Sequence, residues 1–219
     1  MKYKIGTRDF LWRARKKLDE NVPESIIYAA LELRMGVEAR LKKYNEALEE
    51  FSKEKKKGWR IKILDKHLEN MFRTGKKITE IWIIDNDSGR VKGVLYHTPL
   101  SKTLVKNSEK IGDILHANNL YKSQKDEWYS ETKKFLEKTY LELHKANRGT
   151  LLAPMLWNPD TGESKMFIEA YDGYDPRKAV EIFGSEGDIT SFHIEYSDSY
   201  PEIRIPYADG FINSNIEEK

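Results

Sequence analysis

An arginine and a glutamate stand four residues apart at the centre of a segment whose apolar residues recur at helical spacing. These residues are Arg34 and Glu38, in the stretch that runs from Glu24 to about Lys53. Side chains four apart on a helix meet on one face, so we expect both charges to be at least partly buried. A buried charge must be paired, because removing it from water is costly. Two interpretations remain open: a site that holds an anion or polarises a substrate, and an internal ion pair that fixes helix register.

Basic residues beside tryptophan suggest a second chemistry, the binding of nucleic acid. Lys55, Lys56 and Lys57 lie close to Trp59, and another basic run at 13–17 follows a second tryptophan. Cationic side chains bind phosphates, and bases stack on aromatic rings. The alternative is that these residues form an ordinary solvated helix end and loop.

Several kinds of active site are excluded by the residue types. No cysteine occurs in the 219 residues, which excludes disulfides, zinc–thiolate and iron–sulfur sites and a cysteine nucleophile. The sequence also lacks a glycine-rich phosphate loop and a nucleophilic serine elbow. His144 and His193 have no acidic or histidine partner at a metal-ligand spacing. We therefore expect no metal and no cofactor.

Five helices are predicted from the spacing of apolar residues. They cover residues 7–20, 24–53, 59–72, 108–118 and 124–147. Pro23 suits the first turn of the second helix, which should run without a break. Ser108 is the predicted N-cap of the fourth.

Two parts of the chain have the composition of strands. ITEIWIID (78–85) and VKGVLYH (91–97) flank the turn residues Asn-Asp-Ser-Gly, a pattern typical of a β-hairpin. After Leu151, two further antiparallel pairs are predicted, followed along the chain in the order 151–157, 165–171, 191–196 and 202–207, with a short helix after Pro176.

The fold class that we expect is therefore α+β. A helical bundle over residues 1–149 would contain the hairpin at about 78–97. An acidic antiparallel β region over 150–219 would pack on the bundle, because about 60 residues are marginal as an independent domain.

Charge is distributed unevenly along the chain. Residues 158–219 hold 14 Asp/Glu against 5 Lys/Arg, whereas the other 157 residues hold 33 Lys/Arg against 22 Asp/Glu. This asymmetry suggests a polyanionic partner for the basic part, although ordinary solvated faces are the alternative. The N-terminus has no apolar segment typical of a signal peptide, and no apolar run is long enough for a membrane span. A cytoplasmic protein without a membrane partner is expected.

The stretch YAALELRMGVEARL (28–41), with the later ILHANN (114–119), resembles the helical domains called HEPN. Many prokaryotic members of that family are toxin or antiviral-defence RNases. Their catalytic motif is an Arg and a His separated by four to six residues. Arg60 with His67 and Arg90 with His97 match this spacing, and the second pair falls in the predicted hairpin. The resemblance thus implies Arg60 and His67 as catalytic residues.

Two functional hypotheses follow. The first is a HEPN-like protein directed to RNA or single-stranded DNA, with Arg34 and Glu38 as further binding candidates. The second is a non-catalytic interaction subunit. Its helices would form an assembly surface for a protein partner or a homodimer, and its acidic β region would bind or shield a basic partner.

Overall fold

The computed structural model describes residues 5–20, 22–52, 61–116, 126–157, 162, 164–169 and 190–199. These residues form helices and a small antiparallel sheet, which confirms the expected α+β class. The chain divides into two compact units, each made of two segments. The helical unit comprises Met1–Lys76 and Thr98–Arg148, and the sheet unit comprises Lys77–His97 and Gly149–Lys219.

The helical unit is arranged around one long central helix. Its described helices are α1 (Thr7–Glu20), α2 (Pro23–Ser52), α3 (Ile61–Phe72), α4 (Lys102–Leu115) and α5 (Asp126–Ala146). α2 is unbroken over 30 residues, as the sequence predicted. It buries a stripe at helical spacing that includes Leu33, Val37 and Tyr44. α1, α3, α4 and α5 all pack on α2, which therefore forms the core of the unit.

α1 lies antiparallel to α2, and a glycine allows the two helices to approach closely. Arg13 of α1 pairs with Glu32 of α2 at 2.9 Å. A Cβ at Gly36 would lie 3.2 Å from the Cβ of Phe10 in α1 and 2.8 Å from Leu143 Cδ2 in α5. Such distances are shorter than van der Waals contact, so α2 can pack between α1 and α5 at this level only because residue 36 has no side chain.

The N-cap of the fourth helix lies seven residues before the predicted one. Ser101 is the N-cap, and its side chain accepts a hydrogen bond from Leu104 N at 3.0 Å. Ser108 lies inside α4, where its Oγ donates to Val105 O at 2.7 Å. The prediction of a helix from Ser108 was wrong because burial of Leu104 and Val105 continues the apolar stripe of α4 toward its N-terminus.

The sheet unit contains the predicted hairpin. β1 (Ile78–Asp85) pairs antiparallel with β2 (Val91–His97), which confirms the turn between them. In the turn, Asp85 Oδ1 accepts from Ser88 N at 2.7 Å, and Gly89 has a φ of +65° that favours glycine. The hydrogen bond from Ser88 N and the ion pair with Lys92 hold the pKa of Asp85 well below its usual range.

One of the two predicted C-terminal strand pairs is present in part, and the last described strand has a partner that was not predicted. β3 (Leu156–Trp157) and β4 (Ser164–Lys165) form a short antiparallel pair, and an isolated bridge joins Leu151 to Ile168. The predicted pairing of 151–157 with 165–171 is therefore present, but it is much shorter than expected. β5 (Thr190–Ser197) pairs antiparallel with β1. Its predicted partner, 202–207, and the helix predicted after Pro176 lie outside the described residues.

The hairpin belongs to the sheet unit and not to the helical bundle, in which the sequence had placed it. The reason is the order of the sheet, β2-β1-β5, in which β1 is the central strand. One face of this sheet carries a core of Ile81, Ile83, Leu95 and Leu151. Since these residues come from both segments, the two segments fold as one unit.

Candidate functional site

Arg34 and Glu38 form the ion pair that their spacing predicted. Arg34 Nε donates to Glu38 Oε1 at 2.8 Å, and the side chains are 19% and 32% exposed. Arg34 Nη1 also donates to the backbone carbonyl of Ser108 in α4 at 2.6 Å. The guanidinium therefore joins α2 to α4, with Glu38 orienting it. This arrangement favours the structural interpretation of the pair, because two of the N–H donors of the guanidinium already bond to groups of the protein.

A second arginine of α2, which the sequence interpretation missed, is completely buried. Arg40 Nε donates to Tyr44 Oη at 2.9 Å and to the carbonyl of Ala146 at 3.1 Å. Thr98 Oγ1 donates to the same carbonyl at 2.9 Å, and Tyr44 Oη donates to Thr98 O at 2.5 Å. Ala146 is the last residue of α5, so a cation and a hydroxyl satisfy a carbonyl that has no partner within the helix.

The predicted catalytic pair is only partly covered by the structure. Arg60 lies outside the described residues, as do Lys55, Lys56, Lys57 and Trp59. His67 lies within the helix α3, and its backbone is among the described residues. The RNase motif and the lysine run therefore stay predictions.

Two other histidines, His97 and His144, are packed against the protein interior. His97 is fully buried at the end of β2, with Nδ1 3.4 Å from Leu151 O, and so Arg90 and His97 do not form a helical motif. His144 stacks on Tyr140, and burial lowers its pKa. Among the described residues, no group of three or more possible metal ligands occurs.

Carboxylates of the same helical hairpin neutralise most of the basic run in α1. Arg13 pairs with Glu32, Arg15 with Asp19, and Lys17 with Glu20. Lys16 instead lies 5.6 Å from the ring centroid of Trp12, which is 66% exposed. The run thus offers much less free positive charge than its sequence suggests.

A larger set of lysines occurs on α4 and α5, and we call it the lysine face. It consists of Lys102, Lys106, Lys110, Lys134 and Lys138, all exposed. Within the described part of the chain, no carboxylate forms an ion pair with any of the five. Lys110 Nζ lies 4.7 Å from the ring centroid of Phe135 in α5.

The helices that carry the lysine face are held side by side. Asn107 Nδ2 of α4 donates to Thr139 Oγ1 of α5 at 3.0 Å, and Ser101 Oγ donates to Glu142 Oε2 at 2.6 Å. These contacts fix α4 and α5 antiparallel to each other. The sequence did show the spacing of four between the lysines, but not that the two helices adjoin or that the lysines lack carboxylate partners.

The division into units preserves the charge asymmetry that the sequence shows along the chain. The segments of the helical unit hold 30 Lys/Arg against 19 Asp/Glu, and those of the sheet unit hold 8 against 17. The balances are +11 and −9, so nearly all excess positive charge resides in the unit that carries the lysine face.

Comparison with known proteins gives no family for this chain. No family model, no curated protein and no solved structure matches it. A membrane-spanning helix, which needs about 20 apolar residues in succession, does not occur among the described residues. Any function must therefore be argued from the geometry itself.

Proposed function

We propose that the helical unit binds single-stranded nucleic acid, RNA in the first place, through the lysine face. The observation that carries this proposal is the set of five exposed lysines on two adjoining helices, without carboxylate partners in the described residues. The proposed place of action is the cytoplasm, and the HEPN-like role in defence or toxicity is the biological setting that the sequence resemblance suggests.

The spacing of the lysines suits a flexible strand of phosphates. Residues four apart on a helix are separated by about 6 Å along its axis. Lys102, Lys106 and Lys110 thus place three ammonium groups in a row on α4, and Lys134 and Lys138 place two on α5. Long lysine side chains act as mobile point charges, which fit a backbone without fixed sequence. Phe135, beside Lys110, adds an aromatic ring to the same face.

The experiment compares two double variants with equal loss of charge. Lys106→Gln with Lys138→Gln removes two unpaired lysines, whereas Lys62→Gln with Lys145→Gln removes two that pair with Glu109 and Glu142. We expect the first variant to lose at least about tenfold in affinity for a labelled single-stranded RNA, because two phosphate contacts disappear. The control should lose much less. Equal losses in both variants would contradict a specific lysine face.

Cleavage is measured on the same RNA. If the HEPN-like mechanism operates, the wild type hydrolyses the bound strand and His67→Ala binds it without hydrolysis. Binding without any cleavage by the wild type would leave the binding function and remove the RNase role.

The second candidate function is assembly, and a specific feature of α2 favours it. Tyr28, Leu31 and Met35 are 57%, 46% and 41% exposed and follow one another at helical spacing on the outer side of the helix. A second copy of this chain fits that stripe. Antiparallel pairing about a two-fold axis would place Leu31 against Met35 of the partner copy and Glu24 against Lys42. Opposite charges would thus flank an apolar centre at both ends.

A further inference from the structure

One face of the three-stranded sheet carries a row of polar and aromatic residues. Glu80 on β1 lies directly opposite Tyr96 on β2 and Glu195 on β5. Trp82, two residues further along β1, lies opposite His193 on β5. Directly opposed residues, and residues two apart on a strand, point to the same side of a sheet. The two carboxylates and the indole therefore share one face, opposite to the apolar core.

Glu80 is a buried carboxylate without a countercharge. It is 9% exposed, no cation in the described part of the chain forms an ion pair with it, and the donor near it is the indole of Trp82. The nearest lysines along the hairpin pair elsewhere, Lys77 with Asp198 and Lys92 with Asp85. Burial and the opposed Glu195 raise the pKa of Glu80. Two like charges placed directly opposite on neighbouring strands destabilise the sheet, so the arrangement requires an explanation.

The indole next to this carboxylate also lacks a partner. Trp82 Nε1 is buried and has no acceptor among the described residues. The indole N–H lies close enough to Glu80 to lower its pKa slightly, against the effect of burial. The two groups nevertheless do not have the geometry of a hydrogen bond. Glu195 has one partner among the described residues: its Oε1 lies 3.0 Å from His193 Nε2. The face therefore offers unused acceptors from two carboxylates and one unused donor.

We propose that Glu80, Glu195 and Trp82 form a recognition site for an arginine side chain of a basic peptide segment. The guanidinium is planar and presents several N–H donors, which can bridge two carboxylates at once. A backbone carbonyl of the same segment would accept from Trp82 Nε1. A ligand that brings both a cation and an acceptor satisfies all three groups, whereas a metal ion would leave the indole without an acceptor. This site is independent of the lysine face.

The test is an NMR titration of the full chain with N-acetyl-arginine amide at low salt. The matched control ligand is N-acetyl-citrulline amide, which has the same shape without the charge. The Trp82 indole resonance, assigned with Trp82→Phe, should shift with saturation on addition of the arginine amide. The citrulline amide should bind at least about tenfold more weakly, because its group cannot make charge-assisted hydrogen bonds.

Variants of the two carboxylates complete the test. Glu80→Gln and Glu195→Gln should each weaken arginine binding, whereas Asp87→Asn in the exposed hairpin turn should not. Glu80→Gln relieves the like-charge contact, so its melting temperature should not fall, and lost binding cannot be attributed to unfolding. An equal response to arginine and citrulline amides, or unchanged affinity in the folded Glu80→Gln variant, would overturn the proposal.

Discussion

Both arginines of the α2 interior act on carbonyl groups of other helices. Arg34 reaches Ser108 O in α4, and Arg40 reaches Ala146 O at the end of α5. A guanidinium can donate in several directions at once, which a lysine ammonium at the same place cannot reproduce. The two residues differ in burial, since Arg40 is inaccessible to solvent whereas Arg34 and Glu38 remain partly exposed. Their contributions to stability should differ accordingly.

The first prediction follows from that difference. Arg40→Lys should lower the free energy of unfolding by about 2–3 kcal/mol, because charge-assisted hydrogen bonds to Tyr44 and Ala146 are lost in a buried place. Glu38→Gln should cost about 1 kcal/mol or less, since a partly exposed pair is screened by water. Urea denaturation measures both values, with Arg15→Lys on the exposed pair with Asp19 as the control. A larger loss for Glu38→Gln than for Arg40→Lys would refute this ranking.

Residue types alone could indicate Arg34 and Glu38 but not Arg40. The pair was visible because two charges four apart interrupt an apolar stripe. Arg40 lies on the neighbouring stripe with Leu33, Val37 and Tyr44, which is equally regular. Its partner carbonyl, at residue 146, is 106 residues away in the sequence, and helical periodicity contains no information about such a contact.

Elements were predictable where local chemistry determines them. The hairpin follows from strand-forming residues around a turn that contains Asp85 and Gly89, and α2 follows from its periodicity and Pro23. The start of α4 was not determined in this way, because Ser101 and Ser108 are both suitable N-caps. Tertiary burial of Leu104 selects the earlier serine, and only the fold can show that.

The second prediction concerns the outer stripe of α2. If two copies pair through it, the wild type is a dimer in analytical ultracentrifugation and Leu31→Lys is a monomer, since a charge then occupies the apolar centre. Ile63→Lys, on the exposed side of α3, is the matched control and should stay dimeric.

The register of the dimer is tested by exchanging charges. Glu24→Lys should weaken self-association, because the new lysine would repel Lys42 of the partner copy. Adding Lys42→Glu should restore self-association. A monomeric wild type at the highest concentration measured, or a dimeric Leu31→Lys variant, would exclude pairing through this stripe.

At the scale of the whole molecule, the small net charge does not reflect the separation of positive and negative charge between the two units. The formal net charge is +2, yet the helical unit carries +11 and the sheet unit −9. The sequence showed this asymmetry along the chain, but it placed the hairpin in the wrong unit. The pairing of β1 with β5 joins segments more than 100 residues apart, and neither strand's composition specifies its partner. The charge pattern was thus more predictable than the topology that segregates it.

The third prediction uses this segregation. A protein of charge +2 with evenly mixed charges should bind single-stranded RNA weakly and with little dependence on salt. If the five residues of the lysine face each neutralise one phosphate, the slope of log affinity against log salt should be about −3.5, at about −0.7 per contact. Affinity should then fall about a hundredfold between 50 and 200 mM salt. Fluorescence anisotropy with a labelled oligonucleotide measures the slope.

Variants decide which lysines produce the slope. Lys106→Gln with Lys138→Gln should reduce it to about −2.1, because two counterion-releasing contacts are removed. Replacement of Lys55, Lys56 and Lys57, the run that the sequence favoured, should leave it unchanged if the lysine face is the site. The opposite result, in which the triple variant flattens the slope and the double variant does not, would move the nucleic-acid site to the segment before α3. A slope near zero for the wild type would remove nucleic-acid binding and leave assembly through α2 as the function to test.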